Sequence, residues 1–256
     1  MYRQLLALLL FLWILPTFAT EMKETILLRG DEWCPYACQP NSEKPGFLIE
    51  IAQHIFKKAG YLVDYQIIPW ARAVSETRKG QYHAVSGVFK EDVPDFIFPK
   101  NEIARAGLAF FVKPGTNWKF ENMSSLEAVS IGVIRDYSYG KQFDDYIEKY
   151  KKDPQKVQIG SGENAPELNI KKLIMGRIKV LLEDPLVVQY YTANYPQPEK
   201  LVNVGTLSDE RVYIAFSPHL SSSKQYANIL SEGVQELRVN GKLQEILAKY
   251  GLQDWK

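Results

Sequence analysis

The residues with the clearest chemical use sit where apolar runs end. In residues 173–184, LIMGRIKVLLED, a short helical end meets Gly176, an apolar run follows over 178–182, and two carboxylates, Glu183 and Asp184, close the stretch. Glycine just past a helix takes a positive φ without a Cβ penalty. The run itself reads as a buried strand of a parallel sheet. The acid pair then lands at the strand's C-terminal end, the edge where open α/β sheets bind ligands. A carboxylate inside a cleft is costly unless it is paired. Asp184 also precedes Pro185, so it can instead cap the helix that follows. Glu183 faces the other side if the strand continues, and reads as structural.

Two further stretches carry chemistry. Residues 135–140, RDYSYG, lie at a strand–helix junction, where free backbone N–H groups and the helix dipole suit a carboxylate. Arg135 can add a charge there or simply face solvent. The run CPYAC holds both cysteines of the chain, Cys34 and Cys38. Export to an oxidising compartment favours a local disulfide between them, and a turning loop allows the Cα separation it needs. Its use would be to stiffen the loop that carries Trp33 and Tyr36. A metal site or redox pair fits less well: the spacing is not CxxC, and His54, His83 and His219 are scattered. No metal or cofactor is expected.

Residues 1–19 read as a secretory leader, with Arg3 ahead of an apolar stretch 5–15, then Pro16 and small residues ending at Ala19. The apolar stretch is shorter than the ~20 residues a membrane span needs. Cleavage after Ala19 leaves a formally neutral chain, because the whole sequence carries 31 basic and 30 acidic residues and Arg3 is removed. A neutral surface argues against nucleic acid as the partner. Aromatic residues make up 12% and Tyr dominates them, which suits a small polar ligand or an ordinary core.

The elements that must position these residues read as strand–helix–strand units. A strand at 25–29 leads through a loop to a helix at 47–59, whose apolar residues Leu48, Ile51, Ala52, Ile55, Phe56 and Ala59 make a 3.6-residue stripe. A strand at 61–68, a helix at 71–79 and a strand at 83–86 follow. A second set comprises strands at 108–112, 131–134, 157–159 and 178–182, with helices near 141–150, 163–175 and 186–193. Short strands at 201–204 and 211–217 lead to closing helices at 224–239 and 242–250. A chain that leaves one lobe, builds a second and returns has two linkers, which form a hinge able to close over a ligand.

This pattern resembles the type II periplasmic solute-binding proteins of the polar amino-acid ABC uptake group, bacterial extracellular solute-binding family 3. The matching pieces are DEWCPY at 31–36, GFLIEIAQHIFKKAG at 46–60, LIMGRIKVLLED at 173–184 and ELRVNGKLQEILAKYG at 236–251. IPWARA at 68–73 looks like a subgroup whose substrates are often unassigned. The resemblance implies an α/β fold of two lobes, each a mostly parallel sheet flanked by helices, joined by a two-strand hinge. It places lobe 1 at 20–103 and 208–256, and lobe 2 at 104–207.

The resemblance also implies roles. Trp33 and Trp70 fall where family members sandwich the ligand between aromatics, and Tyr36 is a further contact. Two indoles also favour a cationic group. Asp184 matches the carboxylate that pairs with a ligand ammonium, and Ser138 the small hydroxyl residue of the second lobe. Where the family usually has Gly this chain has Asp136, which disfavours an anionic ligand. The family's Arg that clamps an α-carboxylate after the third strand has no counterpart in SGVFKEDVPDF at 86–96. Lys90 is that loop's cation, and Arg72 and Arg105 are the other candidates.

The function implied is capture of a small polar, amino-acid-like solute in the periplasm, for delivery to an ABC transporter permease. The protein is expected to be a monomer and not an enzyme. The alternatives are a sensory ligand-binding protein that signals to a membrane receptor and, from another class, a cyclic-acid dehydratase-like enzyme with a protonatable carboxylate in the cleft.

Overall fold

The computed structural model describes residues 24–193 and 200–256. The expected leader at 1–19 lies outside them. Strand β1 (Thr25–Gly30) is followed by α1 (Phe47–Lys58), β2 (Leu62–Ile67), α2 (Trp70–Arg78) and β3 (Ala84–Val88). Then come β4 (Ala104–Val112), a 3-10 turn (Met123–Ala128), β5 (Ile131–Ile134), α3 (Lys141–Tyr150), β6 (Val157–Gly160), α4 (Ala165–Ile174), β7 (Val180–Glu183) and α5 (Pro185–Ala193). The chain closes with β8 (Val202–Phe216), α6 (Ser223–Val239) and α7 (Lys242–Ala248).

The strands join in one curved order, β2-β1-β3-β8-β4-β7-β5-β6. β1 is parallel to β2 and β3, and β5 is parallel to β6 and β7. Each half is therefore a small parallel sheet made of strand–helix–strand units. Antiparallel strands β4 and β8 join the halves, with pairing that runs from Ala104 opposite Val212 to Val112 opposite Val202. The last residues of β8 turn to β3, pairing Tyr213 with Val88 and Phe216 with Ala84.

The expected break between strands at 201–204 and 211–217 does not exist. β8 is one strand of 15 residues. Its middle, GTLSDE at 205–210, is polar because it spans the junction of the halves, where neither face has a core to meet. That removes the alternation by which a strand is recognised. β4 likewise begins at Ala104, earlier than the apolar run at 108–112 suggests.

Among the described residues, three apolar cores flank the sheet. One continues beneath both halves, joining Leu28, Ile51 and Phe216 to Leu173, Leu181 and Val187. The expected stripe of α1 forms its wall: Leu48, Ile51, Ala52, Ile55 and Phe56 are all buried. On the opposite face the halves have separate cores, one around Ala73, Val85 and Tyr213 and the other around Phe110, Ile131 and Leu182. That opposite face is thus free to open as a cleft. Gly176 ends α4 with φ 71°, as its position requires.

Candidate ligand-binding cleft

The C-terminal ends of β1, β3, β5 and β7 converge on a cavity of about 550 Å³ between the halves. From the first half come Trp33, Phe89, Glu91 and Asp92. The second half supplies residues 137–143, Glu183 and Asp184, and the hinge strands supply Gly107, Leu108, Leu207, Ser208 and Glu210. A smaller cavity shares Trp33, Phe89, Asp92, Tyr137 and Ser138 and adds Asp31 and Trp70.

Trp33 is held on several sides. Its backbone closes the loop with Ala37: Trp33 N donates to Ala37 O at 2.8 Å and Ala37 N to Trp33 O at 3.0 Å. The Cys34–Cys38 disulfide forms inside this loop. The indole stacks on Tyr36 at 4.0 Å between ring centroids and meets the edge of Phe89 at 6.4 Å. A Cβ on Gly87 would come within 3.2 Å of the indole, and Gly87 has φ 77°, so only glycine suits this end of β3. Tyr36 is thereby a support beneath Trp33. It is fully buried, donates its hydroxyl to Arg105 O at 2.9 Å, and does not line the cavity.

The acid pair is divided differently from the sequence expectation. Asp184 is buried, and its carboxylate accepts from Gly107 N at 2.7 Å, Leu186 N at 2.8 Å and Val187 N at 3.2 Å. It caps α5 and ties that helix to β4. Glu183, expected to face away, shares the cavity wall because the chain turns at Pro185 immediately after the strand. Its Oε1 accepts from Asp184 N at 2.9 Å and from Trp33 Nε1 at 3.4 Å, while Oε2 is buried without a partner.

Tyr137 crosses the cleft. It donates its hydroxyl to Asp31 Oδ2 at 2.5 Å and meets the Trp70 ring edge-on at 5.8 Å. Ser138 reaches the wall, but its hydroxyl donates to Asp144 at 3.0 Å. The other oxygen of Asp144 accepts from Tyr139 N at 2.8 Å. At the junction expected to seat a ligand carboxylate, Asp144 thus takes two of the available donors, the Ser138 hydroxyl and Tyr139 N. Asp136 adopts φ 63°, a left-handed backbone that accounts for the glycine usual at this position.

The four expected cations stand outside the larger cavity. Arg72 is exposed on α2 and Lys90 is exposed with its ammonium over the rings of Phe98 and Tyr213. Arg135 is exposed beside a small side cavity near Trp70, and Arg105 is paired with Asp209 at 2.9 Å. Among the described residues Lys141 is the one basic residue on the cavity wall, and its Nζ is paired with Asp145 at 2.8 Å. Five carboxylates share that wall: Glu91, Asp92, Glu183, Asp184 and Glu210.

Burial and mutual repulsion set the acidities. Burial pushes Glu183 up to about 8, against the hydrogen bonds from Asp184 N and Trp33. Burial also raises Asp31, Asp92 and Asp184 to about 6 each. For Asp31 the Tyr137 hydroxyl opposes that rise. Among the described residues no cluster of His, Cys, Asp and Glu is arranged to hold a metal ion. No helix among them is long and apolar enough to cross a membrane.

The chain is similar in sequence and fold to known proteins. Over 224 residues the chain is 22% identical to the probable amino-acid-binding protein YxeM of Bacillus subtilis, covering 86% of this chain and 81% of that protein. It superposes on a solved structure from glutathione import via GshT and the cystine ABC importer TcyBC of Streptococcus mutans. That match has a TM-score of 0.73 at 17% identity, over 91% of this chain and 98% of the other. A histidine kinase sensor domain similar to periplasmic binding proteins matches with a TM-score of 0.69 at 20% identity, over 88% and 95% of the two chains. The model of the bacterial extracellular solute-binding proteins, family 3, matches residues 29–253, nearly everything from β1 to the C-terminus, and the chain belongs to that family.

Proposed function

We propose that the protein captures a small polar solute in the periplasm, closes its lobes over it, and delivers it to an ABC transporter permease. The solute is amino-acid-like. The observation that carries this reading is the cavity of about 550 Å³ at the strand C-termini of both halves, spanned by antiparallel hinge strands. YxeM and the cystine importer system support it by likeness. In this reading residues 20–103 with 208–256 form one lobe and 104–207 the other. The leader at 1–19 directs export and is removed near Ala19, and the mature protein works as a monomer. Trp33, Trp70, Ser138 and Glu183 are the side chains placed to meet the solute, with Asp184 holding the wall behind them.

The test is a thermal-shift screen of the purified protein against amino acids, amines, organic acids, small peptides and sugars. A ligand at 100 times its dissociation constant stabilises by about 2.7 kcal/mol. A stabilising solute recovered unchanged after incubation is the expected result; a consumed solute would replace binding with catalysis.

The likeness to a histidine kinase sensor domain favours a second reading, in which the closed lobes signal to a membrane receptor. The two separate by partner: co-purification with a permease supports transport, and co-purification with a receptor supports sensing.

A further inference from the structure

Four observations in the cleft agree on the charge of its ligand. First, Glu183 is only 4% exposed, and its Oε2 has no partner. Of the buried side-chain atoms left unpaired among the described residues, it alone belongs to the wall of the larger cavity. Burying a carboxyl oxygen without a partner is costly; burial keeps Glu183 protonated while the site is empty, and a cation entering beside Oε2 would release that proton to solvent and leave the oxygen as its acceptor. Second, the wall carries five carboxylates, while its lone lysine is turned to Asp145. Third, at the start of α3 the Ser138 hydroxyl and Tyr139 N–H are already taken by Asp144. Fourth, aromatic side chains line much of the rest: Trp33, Phe89, Tyr137, Tyr139 and Phe143 share the wall, and aromatic rings attract cations over their faces.

Building on the solute-binding reading, we propose that the cleft takes a small organic cation without a carboxylate, an alkyl amine, diamine or guanidine, and that Glu183 Oε2 accepts its N–H. Asp184 is unsuited to that role, because three backbone N–H groups already occupy its oxygens. An α-amino acid would bring its carboxylate against Asp92, Glu91 or Glu210, with no arginine on the wall and only the exposed Lys141 to receive it.

Matched pairs that differ only by the α-carboxylate isolate the proposal: agmatine against arginine, cadaverine against lysine, putrescine against ornithine. Each is titrated into the purified protein by calorimetry and by tryptophan fluorescence. The expected result is that at least one decarboxylated member binds ten times or more tightly than its amino acid. Glu183→Gln keeps the acceptor for Trp33 and is expected to weaken that amine at least tenfold. Glu148→Gln, on the exposed side of α3 and away from the cavity, should change it less than threefold.

An amino acid that binds as tightly as its amine overturns the substrate class and leaves solute binding intact. Equal affinity in wild type and Glu183→Gln overturns the assignment of Glu183. If no amine binds, the proposal fails. A sugar or organic acid that binds in that case preserves the solute-binding reading, and silence across the whole screen removes both. The wild-type pairs decide the substrate class even if a variant does not fold.

Discussion

Adjacent residues Glu183 and Asp184 are both buried carboxylates, yet the backbone uses them in opposite ways. Asp184 satisfies the N–H groups of Gly107, Leu186 and Val187. Asp184→Ala is expected to destabilise the protein by about 2–4 kcal/mol, the sum of a lost helix cap and an orphaned buried N–H. Asp184→Asn should cost less, and urea denaturation measures both. Glu183 has the opposite leaning. Its acidity near 8, with Asp31, Asp92 and Asp184 near 6, means that the folded chain holds protons the unfolded chain has released. Where the native state binds more protons, stability falls as pH rises. The ligand-free melting temperature should therefore drop from about pH 5 to about pH 8, and Glu183→Gln should flatten the upper part of that decline. The groups facing Glu183 are Trp33, Tyr36, Asp184, Asp31, Tyr137 and Tyr139. A melting temperature that rises over this window would show that burial does not govern these acids.

At the scale of elements, packing decides more than local propensity. The Trp33 loop is closed twice, by its backbone pair with Ala37 and by the Cys34–Cys38 disulfide. A loop this short gains at most about 2 kcal/mol from a cross-link. Replacing both cysteines by serine should leave the fold intact and lower the denaturation midpoint slightly; loss of the native circular dichroism spectrum would refute that. The contact of α1 with α6 is tighter. A Cβ on Gly233 would meet Ile55 Cγ2 at 2.4 Å, so Gly233→Ala must push the helices apart. Overpacking of this kind costs about 1–3 kcal/mol, which chemical denaturation reads directly. The hinge strands show the limit of pattern reading. Residues 205–210 alternate poorly and read as a connection, yet they pair with β4 along its length.

For the whole molecule, contacts from one half to the other hold the cleft closed. Tyr137 bonds Asp31, Trp33 reaches Glu183, Glu32 N donates to Glu163 O at 3.2 Å, and Tyr191 donates to Glu32 at 3.1 Å. The Tyr137–Asp31 bond is the shortest of these and joins a buried acid. Tyr137→Phe removes its donor and should shift the ligand-free protein toward an open form by about 1.5–3 kcal/mol. Small-angle scattering would show a larger radius of gyration for the variant, and an unchanged radius would mean that the other contacts suffice.

Resemblance to the family singles out Trp33, Trp70 and Ser138, while the sequence by itself determined the strand–helix–strand order, the stripe of α1, the stops at glycine and the acid pair at the end of β7. These are local matters of period, propensity and turn chemistry. It also showed that the loop after β3 lacks an arginine. Only the tertiary structure decided which side chains meet the cavity. Tyr36, a neighbour of Trp33 in the chain, lies beneath it because the disulfide loop folds back. Arg72, Lys90 and Arg105 are turned to other partners or to solvent. Asp31, Tyr137 and Asp144 gained roles through contacts that residue spacing does not reveal. Glu183 gained its place because the chain turns at Pro185, which keeps consecutive acids on one wall where strand alternation would separate them. Side-chain direction at the end of a strand depends on what the next element packs against, and that is fixed by the assembled fold.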